Sequence, residues 1–285
     1  MLFRSETLAV RTDTGSLTQK VTALTGTDAA NYQIAATGNT DGVLTIGQKA
    51  LTYVIAAASS VYGTLATLGT ATLTGVVDGD SVTASTGLSG ATLEAKLAAG
   101  TYDQTVTLGG ADSGNYSLAA TGNSIGRLTV ARKSLTYAIA DVNSTYGTLA
   151  VPGTPTLTGV LMGDTVTAAA VLQSGTLDAK LAAGDHVLIL GGLTGASAAN
   201  YVLAGTGHTN GTLTVARKSL TATIAGVTST YGQTATTGTV SFTGVVEGDN
   251  VGASVVVEGT GGTVTPGPTL DAGSYTQRVT GLTGA

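Results

Sequence analysis

Lys133-Ser-Leu-Thr-Tyr-Ala-Ile139 alternates strictly. Leu135, Tyr137 and Ile139 fall on one side of an extended chain, and Ser134, Thr136 and Ala138 on the other, which is the period of a half-buried strand. The stretch recurs as Leu51, Tyr53 and Ile55, and again as Leu220, Ala222 and Ile224, where a methyl group replaces the middle aromatic. A strand read three times in one chain makes the repeat the unit of the fold.

Further landmarks return every 84 or 85 residues: Lys49, Lys133 and Lys218; Tyr62-Gly63, Tyr146-Gly147 and Tyr231-Gly232; Asp80, Asp164 and Asp249; Asn31-Tyr32, Asn115-Tyr116 and Asn200-Tyr201. This period exceeds the roughly 20 to 50 residues of most solenoids, and each unit is long enough to bury a small core. Complete repeats are expected at 48–131 and 132–216. Residues 1–47 match only the C-terminal part of a unit, and 217–285 match a unit without its last strand, so the chain reads as an excerpt of a longer array. Met1-Leu-Phe-Arg-Ser5 fits no unit and is expected to be foreign to the repeat, as translated adapter sequence would be. Thr129-Val-Ala-Arg-Lys-Ser-Leu135 leaves almost no linker between repeats, so bending should be restricted.

Composition agrees with strands. Charged residues are 10% of the chain, against about 25% in an average domain. Gly contributes 42 of 285 residues, and Thr, Ala and Val fill much of the remainder. Thr and Val favour pleated strands while Gly supplies turns. A hydrophobic fraction of 42% argues against disorder. The absence of Cys excludes a disulfide framework without deciding the compartment. A net charge of -5 with dispersed Lys and Arg offers no basic patch for phosphates, so nucleic acid is not an expected partner, and no apolar run is long enough to span a membrane as a helix.

Seven strands are expected in the repeat 132–216: the opening stretch, then 155–160, 164–172, 176–181, 186–190, 200–204 and 211–216. Short runs separated by Gly-rich turns predict an all-β fold of tandem immunoglobulin-like sandwiches with antiparallel Greek-key pairing, strung into an extended rod. A β-grasp unit, with a helical turn in 163–171, and a parallel β-helix are the alternatives. Asp271-Ala-Gly-Ser-Tyr275 has the form of a tyrosine corner. Tyr102 stands at the same place in the first complete repeat, and His186 in the second.

Arg132-Lys-Ser-Leu-Thr-Tyr-Ala-Ile-Ala140, Ser144-Thr-Tyr-Gly147, Leu157-Thr-Gly-Val160, Gly163-Asp164, Asn200-Tyr201 and Gly211-Thr-Leu-Thr-Val215, in this order, resemble the MBG domain of the YGX type. The resemblance covers both complete repeats and both partial ones. It implies tandem architecture in a large bacterial surface or secreted protein, such as an adhesin of the filamentous haemagglutinin kind, and an extracellular location. Host or matrix glycan or protein would then be met through other parts of the parent protein. No catalytic residue is carried over.

Chemistry is sparse. With no Cys, and with only His186 and His208, a nucleophile and its base are hard to assemble. Neither catalytic residues nor a cofactor is expected. Asp78-Gly-Asp80 and Glu247-Gly-Asp249 are the weak candidates for a Ca2+ site, but Met162 replaces the first carboxylate in the middle copy, so turn chemistry accounts better for them. Tyr62, Tyr146 and Tyr231 are read either as sugar-stacking rings or as buried rings with wet hydroxyls. Lys49 with Asn115, and Lys133 with Asn200, are conceivable isopeptide pairs, though Arg132 and Arg217 beside the lysines suggest exposed amines. The expected function is a non-enzymatic stalk. The alternative is a repeated binding module for glycan, mucin or self-association, gaining avidity from copy number.

Overall fold

The computed structural model of the chain describes residues 11–284, so Met1 to Ser5 lie outside the described residues. It is all-β, 43% strand in several small mixed sheets, and among the described residues the only helical elements are three short 3-10 turns. No helix among the described residues is long and apolar enough to cross a membrane. Two compact units divide the described residues: one runs up to Leu135 and adds Gly159–Thr167 and Leu193–Gly205, and the other takes Thr136–Thr158, Ala168–Gly192 and the described residues from Thr206 onward.

In the first unit, β1 (Gly15–Gln19) and β2 (Gly42–Ile46) form an antiparallel pair. The repeat 48–131 begins with β3 (Lys49–Ile55) and β4 (Ala58–Val61), then β5 (Ala71–Thr74), β6 (Thr83–Leu88) and β7 (Gly100–Gly109). It closes with β8 (Tyr116–Leu118), β9 (Ser124–Ile125) and β10 (Arg127–Ala131). β3 is central in one sheet, antiparallel to β5 and parallel to β8, with Lys49 opposite Tyr116 and Leu51 opposite Leu118. The other sheet has the order β4-β10-β7-β6, in which β4 and β10 run parallel. Leu51, Ile55, Leu128 and Val130 are buried, as the alternation requires.

The next repeat supplies β11 (Lys133–Ala138), β12 (Val142–Thr145), β13 (Thr156–Thr158), β14 (Thr167–Leu172), β15 (Gly184–Thr194), β16 (Tyr201–Leu203) and β17 (Gly211–Ala216). Lys133 to Leu135 pair in parallel with Tyr201 to Leu203 within the first unit. In the second unit, Thr136 to Ala138 pair antiparallel with β13, and β12 runs parallel to β17. Ile139, Leu188, Leu213 and Val215 form its buried core, against which Tyr137, Val142, Leu172, Leu177 and Leu181 pack. The same unit holds β18 (Thr221–Ile224) paired with β19 (Val240–Thr243). It also holds β20 (Gly252–Gly259) between β21 (Gly262–Val264) and β22 (Thr276–Thr283).

Three expectations change. Pairing is mixed and not wholly antiparallel: each complete repeat brings its early strands beside its late ones in parallel, a long-range arrangement that carries no hairpin signal. The expected strand at 176–181 is a loop. Its apparent alternation arises because Leu177 and Leu181 reach the core while Lys180 points outward to Asp249. The seventh strand is instead β12, whose Asn and Ser disguised it. The stretch 163–171 contains a turn and β14 and no helix, and the antiparallel pairs exclude a parallel β-helix coil.

Gln104 is a buried polar residue on an otherwise apolar strand face, 2% exposed. Its Oε1 accepts from the Gly69 N–H at 2.7 Å, and its Nε2 donates to the carbonyls of Ala56 and Gly126 at 2.9 and 2.8 Å. A Cβ on Gly69 would lie 1.8 Å from the Ala56 oxygen, so only glycine allows this approach. Gln277 repeats the contact with Gly238, whereas Leu188 takes the position in the intervening repeat. Gln104→Ala should strand three backbone groups and lower stability by about 2–4 kcal/mol. A shift in the denaturation midpoint of less than half that, with unchanged slope, would show that water replaces the amide.

Candidate functional site: the joint between repeats

Asp164 follows Gly163 in a turn whose glycine has φ +85°. Its Oδ1 accepts from Lys96 Nζ at 2.7 Å, and its Oδ2 accepts from the hydroxyls of Tyr62 and Tyr201 at 2.9 and 2.5 Å. Lys96 and Tyr62 belong to one repeat, Asp164 and Tyr201 to the next. The two tyrosine rings meet edge to face, with centroids 5.4 Å apart. Such a pair adds about 0.5–1.5 kcal/mol beyond its buried area. The Tyr201 hydroxyl also accepts from the Leu161 N–H at 3.0 Å. Asn200 Oδ1 accepts from the Ala99 N–H at 2.9 Å. Gly63 completes the contact: its φ is +92°, and a Cβ there would stand 2.5 Å from Leu161 Cδ1.

The same arrangement is built at two other places. Arg11 occupies the Lys96 position and donates to Asp80 at 2.8 Å, while Tyr116 donates to the other oxygen at 2.5 Å. Asn115 Oδ1 accepts from the Thr14 N–H, and its Nδ2 donates to Asp13. Further along, Lys180 and Tyr146 both donate to Asp249, at 2.9 and 2.8 Å. A Cβ on Gly147 would meet Val246 Cγ2 at 2.6 Å. The carboxylate is best covered where all three donors converge: the side chain of Asp164 is 6% exposed, and those of Asp80 and Asp249 are 10% and 22%.

Electrostatics follow the geometry. Lys96, then the Tyr201 hydroxyl, hold the Asp164 carboxyl below its ordinary range. Tyr116 does the same for Asp80, with Arg11 adding to it, and Lys180 with Tyr146 for Asp249. The tyrosines move the opposite way. Burial, then the adjacent Asp164 carboxylate, pushes the Tyr201 phenol up to about 12, and the same two causes raise Tyr62. A neutral phenol donating to a charged carboxylate is the state the site favours.

The landmarks therefore have distinct fates. Tyr62, Gly63, Tyr146, Gly147, Asn115, Tyr116, Asn200 and Tyr201 are joint residues, and the Tyr62 hydroxyl is bonded to Asp164, not wet. Tyr231 is 67% exposed, and a Cβ on Gly232 would meet nothing within 4 Å. Asn115 and Asn200 direct their amide oxygens to backbone N–H groups of the preceding repeat, a role that does not involve Lys49 or Lys133. Asp80 and Asp249 spend their oxygens on cations and phenols, whereas Asp78 and Glu247 are exposed. Among the described residues no cluster of three or more His, Asp or Glu is placed to hold a metal ion.

Away from the joint, the Tyr102 and Tyr275 hydroxyls return to the carbonyls four residues upstream, Ala98 and Asp271, at 2.8 and 2.9 Å. His186 Nε2 makes the same contact with Ala182 at 2.8 Å, so the imidazole substitutes for the phenol. His208 likewise takes over from Asn123: Nδ1 accepts from the Tyr137 N–H, as Asn123 Oδ1 accepts from the Tyr53 N–H. The residues that sequence reasoning missed are Arg11, Lys96, Lys180 and Gln104. The basic three share the repeat spacing and a common sign of charge, and that is the signal that would have found them. The chain matches no protein-family profile, no curated protein and no solved structure.

The shifts define two pH limbs. For the aspartates the folded pKa is depressed, so their contribution is complete above the ordinary 3.8 and disappears as pH falls through the lower folded values. For Tyr201 the folded pKa is raised, so its contribution is complete below 10.0 and is lost as pH rises toward about 12. Melting temperature measured against pH should fall on both limbs. Replacing Asp80, Asp164 and Asp249 by Asn should flatten the acid limb, and Tyr201→Phe the alkaline one. Unchanged slopes in these variants would mean that other groups set the pH dependence.

Proposed function

We propose that the chain is a run of non-enzymatic spacer repeats: immunoglobulin-like modules of the MBG kind, forming an extended stalk in a large bacterial surface or secreted adhesin. The observation that carries this reading is the thrice-built joint. Residues that recur along an array are its best candidates for a common task. Here Tyr-Gly, Gly-Asp, Asn-Tyr and the basic position are engaged with one another between consecutive repeats. What the repeats hold in common is a way of being joined. A joint that fixes a buried carboxylate from both sides resists hinging, and a linear array of such joints gains length with each copy while its stability grows by nearest-neighbour increments. The repeat-length resemblance supplies the cellular setting.

Small-angle scattering on chains of two, three and four copies of residues 48–131 tests the reading. The maximum dimension should rise by a constant increment per copy, with no binding to mucin or to a glycan panel. A dimension that grows only as a collapsed globule would overturn the stalk. Saturable glycan binding that strengthens with copy number would assign the repeats to recognition instead.

A further inference from the structure

At the joint on Asp249, a pocket of about 370 Å³ lies in the place where the joint on Asp164 seats Tyr201. The correspondence runs residue by residue. Tyr146 stands where Tyr62 meets the ring of Tyr201 edge to face. Asp249 stands for Asp164, the acceptor of the Tyr201 hydroxyl, and Val246 for Leu161, whose N–H donates to that hydroxyl. Ala183 matches Ala99, whose N–H donates to Asn200. The pocket is lined also by Lys218 and Leu220. These match Lys133 and Leu135, which pair in parallel with Tyr201 and Leu203, and Lys49 and Leu51, which pair with Tyr116 and Leu118.

The local state of this segment agrees. Lys49 to Leu51 and Lys133 to Leu135 are strand, and Leu51 and Leu135 are wholly buried. Lys218 to Leu220 carry no strand pairing among the described residues, and Leu220 is only half-buried. The strand resumes at Thr221, where β19 takes over as partner. An apolar wall of Leu220, Val246 and Leu282 with one carboxylate at its end suits a phenol, which is apolar in body and donates at its tip. A cavity of about 150 Å³ already holds a benzene ring.

We propose that this pocket and the adjoining edge of Lys218 to Leu220 form a β-strand acceptor site for an extended segment of the form Asn-Tyr-x-Leu. The incoming strand pairs in parallel with Lys218 to Leu220. Its Asn accepts from the Ala183 N–H, its Tyr fills the pocket and donates to Asp249, and its Leu covers Leu220. Main-chain pairing supplies affinity and the Tyr pocket supplies selection, the usual division of labour in strand addition. The proposal rests on the equivalence of the joints and stands whether or not the array is a stalk.

The test uses the full chain and a synthetic peptide of its own residues 196–206, which contain Asn200-Tyr201-Val-Leu203. Titration calorimetry should give one site per chain, and amide exchange should slow at 217–221. At saturating peptide the melting temperature should rise by roughly 5 °C. Peptides with Tyr201→Phe and Tyr201→Ala should bind about tenfold and about a hundredfold more weakly. Because these changes sit in the peptide, misfolding of the protein cannot imitate them. No binding at millimolar peptide, equal binding of a scrambled peptide, or protection elsewhere in the chain would overturn the site. A chain already dimeric by light scattering, with 217–221 protected and no response to peptide, would assign the edge to a second copy and overturn it as well.

Discussion

Asp164 must satisfy a lysine and two phenols with only two oxygens, and it does so in a chain where very few side chains carry charge. Tyr201 approaches from the same repeat as Asp164 and Lys96 and Tyr62 from the preceding one, so the carboxylate has all three donors only while the two repeats remain in register. A buried carboxylate stripped of such partners is costly. The penalty for separation, more than the attraction in contact, makes the joint specific. The remaining features serve that geometry. Gly63 is bare so that Leu161 can sit on it, β16 lies beside the start of β11 so that Tyr201 reaches the turn, and Asn200 ties the Ala99 backbone across.

This explains why the compact units do not coincide with the sequence repeats. Leu135, residues 159–167 and residues 193–205 fall with the preceding repeat because they carry β16, the Gly-Asp turn and the contacts of the joint. The remainder of 132–216 folds around Ile139, Leu188 and Leu213. The repeat 132–216 thus has one face committed to its predecessor and a core of its own, as nearest-neighbour stabilisation requires.

Much of this was legible beforehand. The alternation around Leu135 and Tyr137 located a central strand, and the spacing of Tyr62, Asp80 and Asn115 marked residues under a common constraint. What could not be read was where they meet, because Tyr62 and Asp164 lie on opposite sides of a joint between repeats, and the parallel pairing that closes each complete repeat leaves no local trace. β12 was obscured by Asn143 and Ser144, and the loop at 176–181 imitated a strand because Leu177 and Leu181 both turn inward. Gln104 was passed over because a single polar residue in a strand reads as solvent-facing until its three backbone partners are seen. Copy-to-copy changes were informative where chemistry was kept: imidazole for phenol at His186, imidazole for amide at His208.

The repeated landmarks act across the joint as a coupled set. A double-mutant cycle between Tyr62 and Asp164 tests it most directly, using Tyr62→Phe, Asp164→Asn and the pair, with stability read from denaturant unfolding. Partners in one network should show a coupling energy of about 0.5–3 kcal/mol, the second substitution costing little once the first is made. Strict additivity would contradict the account, since it would mean that the two landmarks recur for separate reasons.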